Sequence, residues 1–390
     1  MKNIYSFLKI ILRYCFWGIS LLFRTFTIVN EKRILCNSYS YTKYSCNPKY
    51  ITEYLINAHA GEYEIYWCFK KGIAIPQLPK DVKVVVWRSL KYFYLINTSK
   101  FIFSNTRLGK FSVYLLKRKK QKYIMTWHSS MGIKKIEKDA EKWLSKDYVK
   151  SAKYDSSICD LILSGCRFRT NIIRKSFWYQ GEILEKGTPR NDILFVSRNT
   201  FKDKICKKYN LNHDVKILLY APTFRSDYNL NCYKFDWQDA LSVLWQKYNE
   251  KYCVLLRLHP NFLNRPLFDL TKYLNNSIVD VTDYHDMQEL LCISDILVTD
   301  YSSSLFDFAL LYRPCFIYST DFANYDRGTY LGLQNLPFSL AMTNEELLYN
   351  LHNFDMKKYR REVIRFNSEI IGTYEEGVAC ESLYKWMGNV

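Results

Sequence analysis

Two histidines of this 390-residue chain directly follow apolar runs that have the composition of strands. His128 comes after "YIMTW", and His259 comes after "VLLRL". A neutral imidazole can take a proton from an incoming hydroxyl near neutral pH. One histidine in such a place is more often structural, but two of them, accompanied by arginines, favour a catalytic role.

A row of small hydroxyls follows a third apolar run, in the stretch "TDYSSSLFDFALLYRP" that begins at Thr299. Ser302 and Ser303 are good candidates for a helix N-cap, and the first N–H groups of such a helix suit a phosphate. An ordinary capped helix is the alternative for the serines alone. Further phosphate-binding or polar residues follow the other apolar runs of the same half. The predicted phosphate site comprises Thr223, Arg225, Arg257, Asp300, Ser302 and Ser303.

These residue types suit one class of reaction, the attack of an alcohol on a donor that contains a pyrophosphate. Arginines and a helix N-terminus hold phosphate oxygens, and the histidine accepts the proton of the alcohol. Fixed donors would then stabilise the charge on the leaving phosphate. The sequence shows no metal-binding pattern, so we expect neither a metal nor another cofactor.

Alternating apolar runs and helical stretches predict the elements that position these residues. The runs in the first half are "KRILCNSYS", "EIYWCF", "VKVVVW", "FIFSN", "KYIMTWHS" and "DLILSG". The pattern restarts with "KILLYAPTF", "YCVLLRLHP", "SIVDVTD", "DILVTDYSS" and "PCFIYST". This alternation is typical of parallel sheets with crossover helices. We therefore predict an α/β fold of two Rossmann-like domains, residues 31–195 and 196–390, with a cleft between them and a separate helix at residues 1–30.

The basic residues of the chain are concentrated in its first half. The net charge is +18 overall, with +22 over residues 1–200 and −4 over residues 201–390. Such asymmetry indicates an anionic partner, either nucleic acid or an acidic membrane surface. No RNA- or DNA-binding motif accompanies it, which argues against nucleic acid.

The first thirty residues favour the membrane surface. Their polar side chains fall within an arc of roughly 60° on a helix, and the rest of the helix is mostly apolar. These polar residues are Lys2, Ser6, Lys9, Arg13, Ser20 and Arg24. The longest uncharged run, Tyr14 to Phe23, is too short to span a bilayer, so the pattern predicts a helix lying in the interface. The basic cluster "KRKKQK", Lys117 to Lys122, would belong to the same surface. The alternative is a helix that packs on its own domain.

Seven motifs in a fixed order resemble those of the CDP-glycerol glycerophosphotransferases, the teichoic acid primase and polymerase family. They are "YSCNPKYITEYL", "WHSSMGIKKIEKD", "KGTPRNDIL", "ILLYAPTFRSD", "LLRLHP", "VTDYSSSLFDFALLYRPCFIYSTDFANY" and "EEGVACESL". The resemblance covers roughly residues 36 to 385. It implies a GT-B-like two-domain fold and transfer of glycerol phosphate from CDP-glycerol to a polyprenyl-linked or polymeric acceptor. It also implies a peripheral location at the cytoplasmic face of the bacterial cell membrane.

The resemblance implies a role for individual residues as well. The family's catalytic base falls on His128, its second essential histidine on His259, and its pyrophosphate-binding serines on Ser302 and Ser303. The chain has Ser129-Ser130-Met131 where the family has Gly-Thr-Pro, beside the expected acceptor. The resemblance leaves the donor open between CDP-glycerol and CDP-ribitol, and the activity open between primase and polymerase. The product would be a wall teichoic acid or a capsule polymer. A GT-B glycosyltransferase that uses a nucleotide sugar is the other enzymatic alternative.

Overall fold

The chain folds into two compact units. The computed structural model describes residues 2–109, 115–223, 235–258, 274–321 and 328–390, with side chains from residue 11 onward. The first unit comprises Met1–His128, Ile136–Asp192 and Tyr374–Val390, and the second comprises Ser129–Lys135 and Ile193–Thr373.

A parallel seven-stranded sheet forms the centre of the first unit, in the order β3-β2-β1-β4-β5-β6-β7. Its strands are β1 (Asn30–Asn37), β2 (Glu64–Phe69), β3 (Val82–Val86), β4 (Ser99–Ser104), β5 (Lys122–Met125), β6 (Leu161–Leu163) and β7 (Glu182–Leu184). Its helices are α1 (Lys2–Phe26), α2 (Cys46–Ala58), α3 (Leu90–Thr98), α4 (Lys146–Ile158) and α5 (Arg167–Ser176), together with α12 (Ala379–Gly388) near the end of the chain.

The second unit has a parallel six-stranded sheet in the order β10-β9-β8-β11-β12-β13. Its strands are β8 (Lys216–Tyr220), β9 (Tyr252–Leu256), β10 (Ile278–Asp280), β11 (Ile296–Thr299), β12 (Cys315–Tyr318) and β13 (Ser339–Ala341). Its helices are α6 (Asn199–Tyr209), α7 (Trp237–Tyr248), α8 (Met287–Ile293), α9 (Ser304–Ala309), α10 (Asn344–His352) and α11 (Met356–Arg365).

The central strands of the second sheet are apolar along almost their whole length, whereas β1 and β4 of the first sheet have polar residues at their ends. In the first unit Ile34, Trp67 and Phe103 are fully buried in one cluster. In the second unit, Leu218 and Val254 are fully buried in another cluster. Continuous apolar strands are typical of parallel sheets. The predicted α/β class with two parallel sheets is confirmed.

The observed division differs from a single boundary at residue 195, because each unit includes a segment from the other side of that boundary. The terminal segment 374–390 packs with the first unit, where the Asp192 carboxylate accepts hydrogen bonds from the N–H groups of Ala379 and Cys380 at the start of α12. Glu375 accepts from both the N–H and the hydroxyl of Thr188. These contacts join positions about 190 residues apart in the chain, so no local pattern indicates them.

Helix α1 packs on α3 through aromatic side chains and leaves an apolar face exposed. The ring of Phe16 stacks on Phe93 at 5.1 Å, and Phe23 meets Tyr94 edge-on at 5.7 Å. Ser20, in the middle of the predicted polar arc, is fully buried. The outward side chains include Ile11, Tyr14, Trp17, Leu21, Leu22 and Phe26. Within the described part of the chain, no helix has both the length and the apolar character required to cross a bilayer.

The basic cluster Lys117–Lys122 lies at the end of α1. The guanidinium of Arg118 donates to the carbonyl oxygens of Phe23 and Arg24. These carbonyls lie in the last turn, where a helix lacks internal partners and favours a cation. The predicted proximity of the cluster to α1 is thus observed in the first unit.

Candidate active site

His128 stands at the carboxyl edge of the first sheet. Thr126 extends the pairing of β5 by donating its N–H to the carbonyl oxygen of Ser104 at 2.9 Å. Trp127 then adopts a φ of 53°, a left-handed conformation that turns the chain away from the strand. His128 follows this turn, and its ring stacks on the Trp127 indole with 4.5 Å between centroids.

One hydrogen bond fixes the tautomer of His128. Its Nδ1 lies 3.0 Å from the carbonyl oxygen of Asn105, just beyond the end of β4. A carbonyl oxygen only accepts, so Nδ1 carries the proton and donates it. In the neutral ring Nε2 then carries no proton, and its lone pair can accept one, as a general base requires.

The surroundings of His128 favour the neutral ring. Removal from water lowers the pKa of His128 to about 4; the bond to Asn105 opposes this change, and the charges of Arg190 and Arg169 add to it. Arg169 lies in the first turn of α5, and Arg190 follows the "KGTP" turn. Both arginines are buried. His128 is therefore uncharged and basic at Nε2 near neutral pH.

Thr223 and Asp300 meet at the carboxyl edge of the second sheet because β8 and β11 are neighbours. The Asp300 carboxylate accepts from the Thr223 N–H at 3.0 and 3.1 Å, and from its hydroxyl at 3.1 Å. Asp300 is fully buried. The carboxylate thus fixes the start of the segment that follows β8.

Arg257 is held at the end of β9, next to β8 in the same sheet. Its N–H donates to the carbonyl oxygen of Tyr220 at 2.8 Å, and its guanidinium donates to the carbonyl oxygen of Thr282. Burial lowers the pKa of Arg257. The lowered pKa reflects a desolvated cation, which is more strongly attracted to an anion than an exposed one.

The serines after β11 are arranged differently from the expected cap. Ser303 occupies the N-cap position of the short helix α9, and its side chain makes no capping hydrogen bond within the described residues. The Ser302 hydroxyl instead accepts from the N–H of Ser304 at 3.2 Å. Both Ser302 and Ser303 are half-buried, so their hydroxyls remain accessible in part.

Two predicted site residues, Arg225 and His259, lie outside the described residues. Among the others, the structure brings Thr223 to Asp300 in the second unit and places Arg257 and the serines at the same sheet edge. His128 belongs to the first unit. Sequence reasoning missed Asn105, Arg169 and Arg190. Asn105 ends the predicted strand "FIFSN", so its position at the end of an apolar run could have identified it, as it did His128.

The segment after His128 packs within the second unit. The Ser130 hydroxyl donates to Asp307 on α9 at 2.9 Å, and Gln288 donates to the other carboxylate oxygen of Asp307 at 2.9 Å. Lys134 pairs with Thr329 in an antiparallel bridge. The Ser-Ser-Met segment was expected beside the acceptor, which stays a prediction; the structure shows the contact of Ser130 with α9.

Comparisons with known proteins agree with the motif pattern. Residues 19–387 match the family described as CDP-Glycerol:Poly(glycerophosphate) glycerophosphotransferase. A teichoic acid poly(glycerol phosphate) polymerase of Bacillus spizizenii is 33% identical over 376 residues, which cover 91% of this chain and 92% of that protein. The polymerase of the same name from Staphylococcus epidermidis is also 33% identical, and the match covers 87% of this chain but only 48% of that longer protein.

A solved structure has the same fold. The wall teichoic acid polymerase TagF superposes with a TM-score of 0.82 and 30% sequence identity, covering 100% of this chain and 96% of that one. A variant of TagF has been solved after a soak with CDPG. The similarity extends over both units of the chain.

Proposed function

The chain belongs to the CDP-Glycerol:Poly(glycerophosphate) glycerophosphotransferase family, and from this premise we propose that it transfers glycerol phosphate from CDP-glycerol to a hydroxyl of a lipid-linked or polymeric acceptor in teichoic acid synthesis. The observation that carries the proposal is the neutral His128, whose Nδ1 donates to the Asn105 carbonyl and whose Nε2 is left as the base.

The proposed step is a displacement at phosphorus. The acceptor oxygen attacks the β-phosphorus of CDP-glycerol, which bears the glycerol, while His128 Nε2 takes the proton of the hydroxyl. The bond from that phosphorus to the bridging oxygen breaks, and CMP leaves with the bonding electrons. The new phosphodiester joins the glycerol phosphate to the acceptor, so atoms and charge balance.

The second unit supplies the donor-binding groups in this proposal. Arg257 at the end of β9 and the Ser302 and Ser303 hydroxyls would contact the pyrophosphate, and Asp300 holds Thr223 beside them. Arg225 and His259 complete the predicted set. Charge on the departing phosphate is stabilised by such fixed donors and cations.

We propose that α1 holds the protein at the cytoplasmic face of the membrane, near a polyprenyl-diphosphate-linked acceptor. Support comes from the exposed apolar side chains on its outward face, among them Leu22 at 59% and Phe26 at 79% exposure. Lys119 and Lys120 of the basic cluster are exposed near the end of the same helix. Each basic residue near an anionic surface contributes about 1 kcal/mol.

Labelled donors test the reaction directly. The protein is incubated with radiolabelled CDP-glycerol or CDP-ribitol and a panel of synthetic lipid-linked disaccharides. Each disaccharide is supplied in two forms, unmodified and already bearing one glycerol phosphate (the primed acceptor). We expect label transfer and CMP release with CDP-glycerol. Transfer from CDP-ribitol alone would contradict the donor, and a requirement for a primed acceptor would identify a polymerase. Transfer from a nucleotide sugar without transfer from either CDP-alditol would contradict the reaction class.

A further inference from the structure

Asn47 is a buried polar residue with three hydrogen bonds around the turn that carries His128. It lies in the first turn of α2 and is fully buried. Its amide nitrogen donates to the carbonyl oxygens of Thr126 at 2.9 Å and Trp127 at 3.0 Å. Its amide oxygen accepts from the N–H of Arg190 at 3.0 Å.

The two carbonyls that Asn47 binds lie beyond the last ladder residue of β5, so their donors come from outside the ladder. The Trp127 carbonyl also accepts from the Thr126 hydroxyl at 3.2 Å, whereas Asn47 binds both carbonyls. Trp127 between them is in the left-handed region, which costs a residue with a large side chain about 1–2 kcal/mol. The surrounding structure must over-determine such a conformation for it to persist. The Asn47 amide supplies that restraint one residue before His128.

The third hydrogen bond connects the same side chain to the segment that carries Arg190. Asn47 therefore links the start of α2, the end of β5 and the Arg190 backbone within the first unit. Within the described ranges, the groups that act on His128 include the Asn105 carbonyl, the rings of Trp127 and Tyr39, and the charges of Arg169 and Arg190. Asn47 binds the backbone of two of these residues.

We propose that Asn47 is a positioning residue for the transfer reaction: it holds the left-handed turn at Trp127 and so aims the His128 imidazole at the acceptor hydroxyl. This inference rests on the proposed function, because it takes His128 to be the base. Asn47 itself does not touch the reacting atoms. Its loss should reduce the fraction of enzyme in which Nε2 points correctly, and displacements of about 1 Å cost about 10²-fold in rate.

The test compares Asn47→Ala and Asn47→Asp with wild type, using CDP-glycerol and a soluble acceptor analogue. We expect kcat to fall about 10- to 10²-fold in Asn47→Ala, while the KM for CDP-glycerol stays within about twofold because the donor groups are in the other unit. Asn47→Asp keeps the size of the side chain, but a carboxylate cannot donate to the two carbonyls. Protonation of that buried carboxyl restores one donor, so its activity should recover as the pH is lowered, whereas that of Asn47→Ala should not.

A second readout does not depend on turnover. With six histidines in the chain, the His128 resonance can be assigned by NMR from its loss in His128→Gln. The pKa of His128 should move from its lowered value towards 6.5 in Asn47→Ala, because a loosened turn exposes the ring to water and separates it from the arginines.

Asn97→Ala is the matched control. Asn97 is also fully buried in the first unit and also bonds backbone groups, through the Phe93 carbonyl and the Leu116 N–H, but it lies on α3. It should lose stability without a change in the His128 pKa. If Asn47→Ala and Asn47→Asp matched Asn97→Ala in kcat and in the His128 pKa, the inference would be overturned. If His128→Gln itself retained wild-type turnover, the proposed role of His128 as the base would fail instead, and the two failures are thus distinguishable.

Discussion

The Nδ1 of His128 donates to the carbonyl oxygen of Asn105 across 3.0 Å, and this contact determines which ring nitrogen can act as a base. Because Asn105 directly follows β4, the orientation of the imidazole depends on two neighbouring strand ends of one sheet. No carboxylate is required to set this tautomer, since a backbone carbonyl accepts equally well from Nδ1.

The lowered pKa of His128 predicts activity that persists into mildly acidic solution. The ring must be neutral to act as a base, and its pKa of about 4 lies below the ordinary value of 6.5. With a soluble acceptor analogue, kcat/KM should stay constant from pH 8 down to about pH 5 and fall below that. An acidic limb centred near pH 6.5 would show that His128 is solvated and would contradict the described environment.

The same pKa difference has a consequence for stability. The unfolded chain binds a proton to His128 more readily than the folded chain does. The contribution of neutral His128 is fully present above pH 6.5 and is lost as the pH falls towards 4. In urea melts, the free energy of unfolding of wild type should decrease over that interval more steeply than that of His128→Gln, and parallel curves would contradict the assignment.

Asp300→Asn should weaken donor binding through Thr223. The carboxylate accepts from two donors of Thr223, its N–H and its hydroxyl, and an amide retains only one acceptor oxygen. Losing a buried hydrogen bond to a charged group destabilises the fixed position of Thr223 by about 1.5–3 kcal/mol. CDP-glycerol must then supply part of this free energy to order Thr223, so its Kd should rise by up to about tenfold in calorimetry.

Asp295→Asn is the control for this change because Asp295 stands at the opposite end of β11. Its carboxylate accepts from the Ile217 N–H at 2.8 Å and pairs with Arg198. Both variants should melt at lower temperature, but only Asp300→Asn should lose donor affinity. Equal loss of affinity in the two variants would mean that the effect is on the fold of the unit and not on the donor site.

Leu22→Glu should release the protein from vesicles without destabilising it. Leu22 faces outward from α1, so its replacement in solution should change stability by no more than about 0.5 kcal/mol. If the leucine is buried in lipid, its loss removes about 1.5–3 kcal/mol of binding, or roughly tenfold or more in partition to anionic vesicles. Sedimentation with vesicles at low and high salt measures this partition.

Tyr349→Glu is the matched control, since Tyr349 is 68% exposed on α10 of the second unit and the charge change is the same. It should bind vesicles as wild type does. Deletion of residues 1–28 is a less specific test because it also removes the Phe16 and Phe23 contacts with α3. If Leu22→Glu lowered the melting temperature and left vesicle binding unchanged, α1 would be a packing helix only.

The sequence predicts the strands of both sheets better than the contacts between distant segments. All eleven apolar runs overlap a strand, whereas the three-residue strands β7 and β13 at the sheet edges were missed. The equally short edge strand β10 was predicted, from the run "SIVDVTD". Short edge strands lack the continuous apolar run that marks a central one. A helix at the start of the chain was predictable from its periodicity, but not that Ser20 within the polar arc would be fully buried.

The candidate site was predictable where its residues end strands and not where they approach from elsewhere. His128, Arg257 and Asp300 follow apolar runs, so parallel pairing places them at the carboxyl ends of the strands in their sheets. Asn47 contacts a backbone 79 residues further along the chain, from a helix. Such a contact depends on the packing of α2 against the sheet, which periodicity does not specify.

The most direct test of the central claim is the turnover of His128→Ala, measured as CMP release from CDP-glycerol with a soluble acceptor analogue, together with the Kd for CDP-glycerol in the same preparation. His213→Ala, which changes a surface histidine of the second unit, is the control. The proposed mechanism predicts a loss of about 10²- to 10⁴-fold in kcat for His128→Ala with the Kd nearly unchanged. Wild-type turnover in His128→Ala would contradict the assignment of His128 as the base.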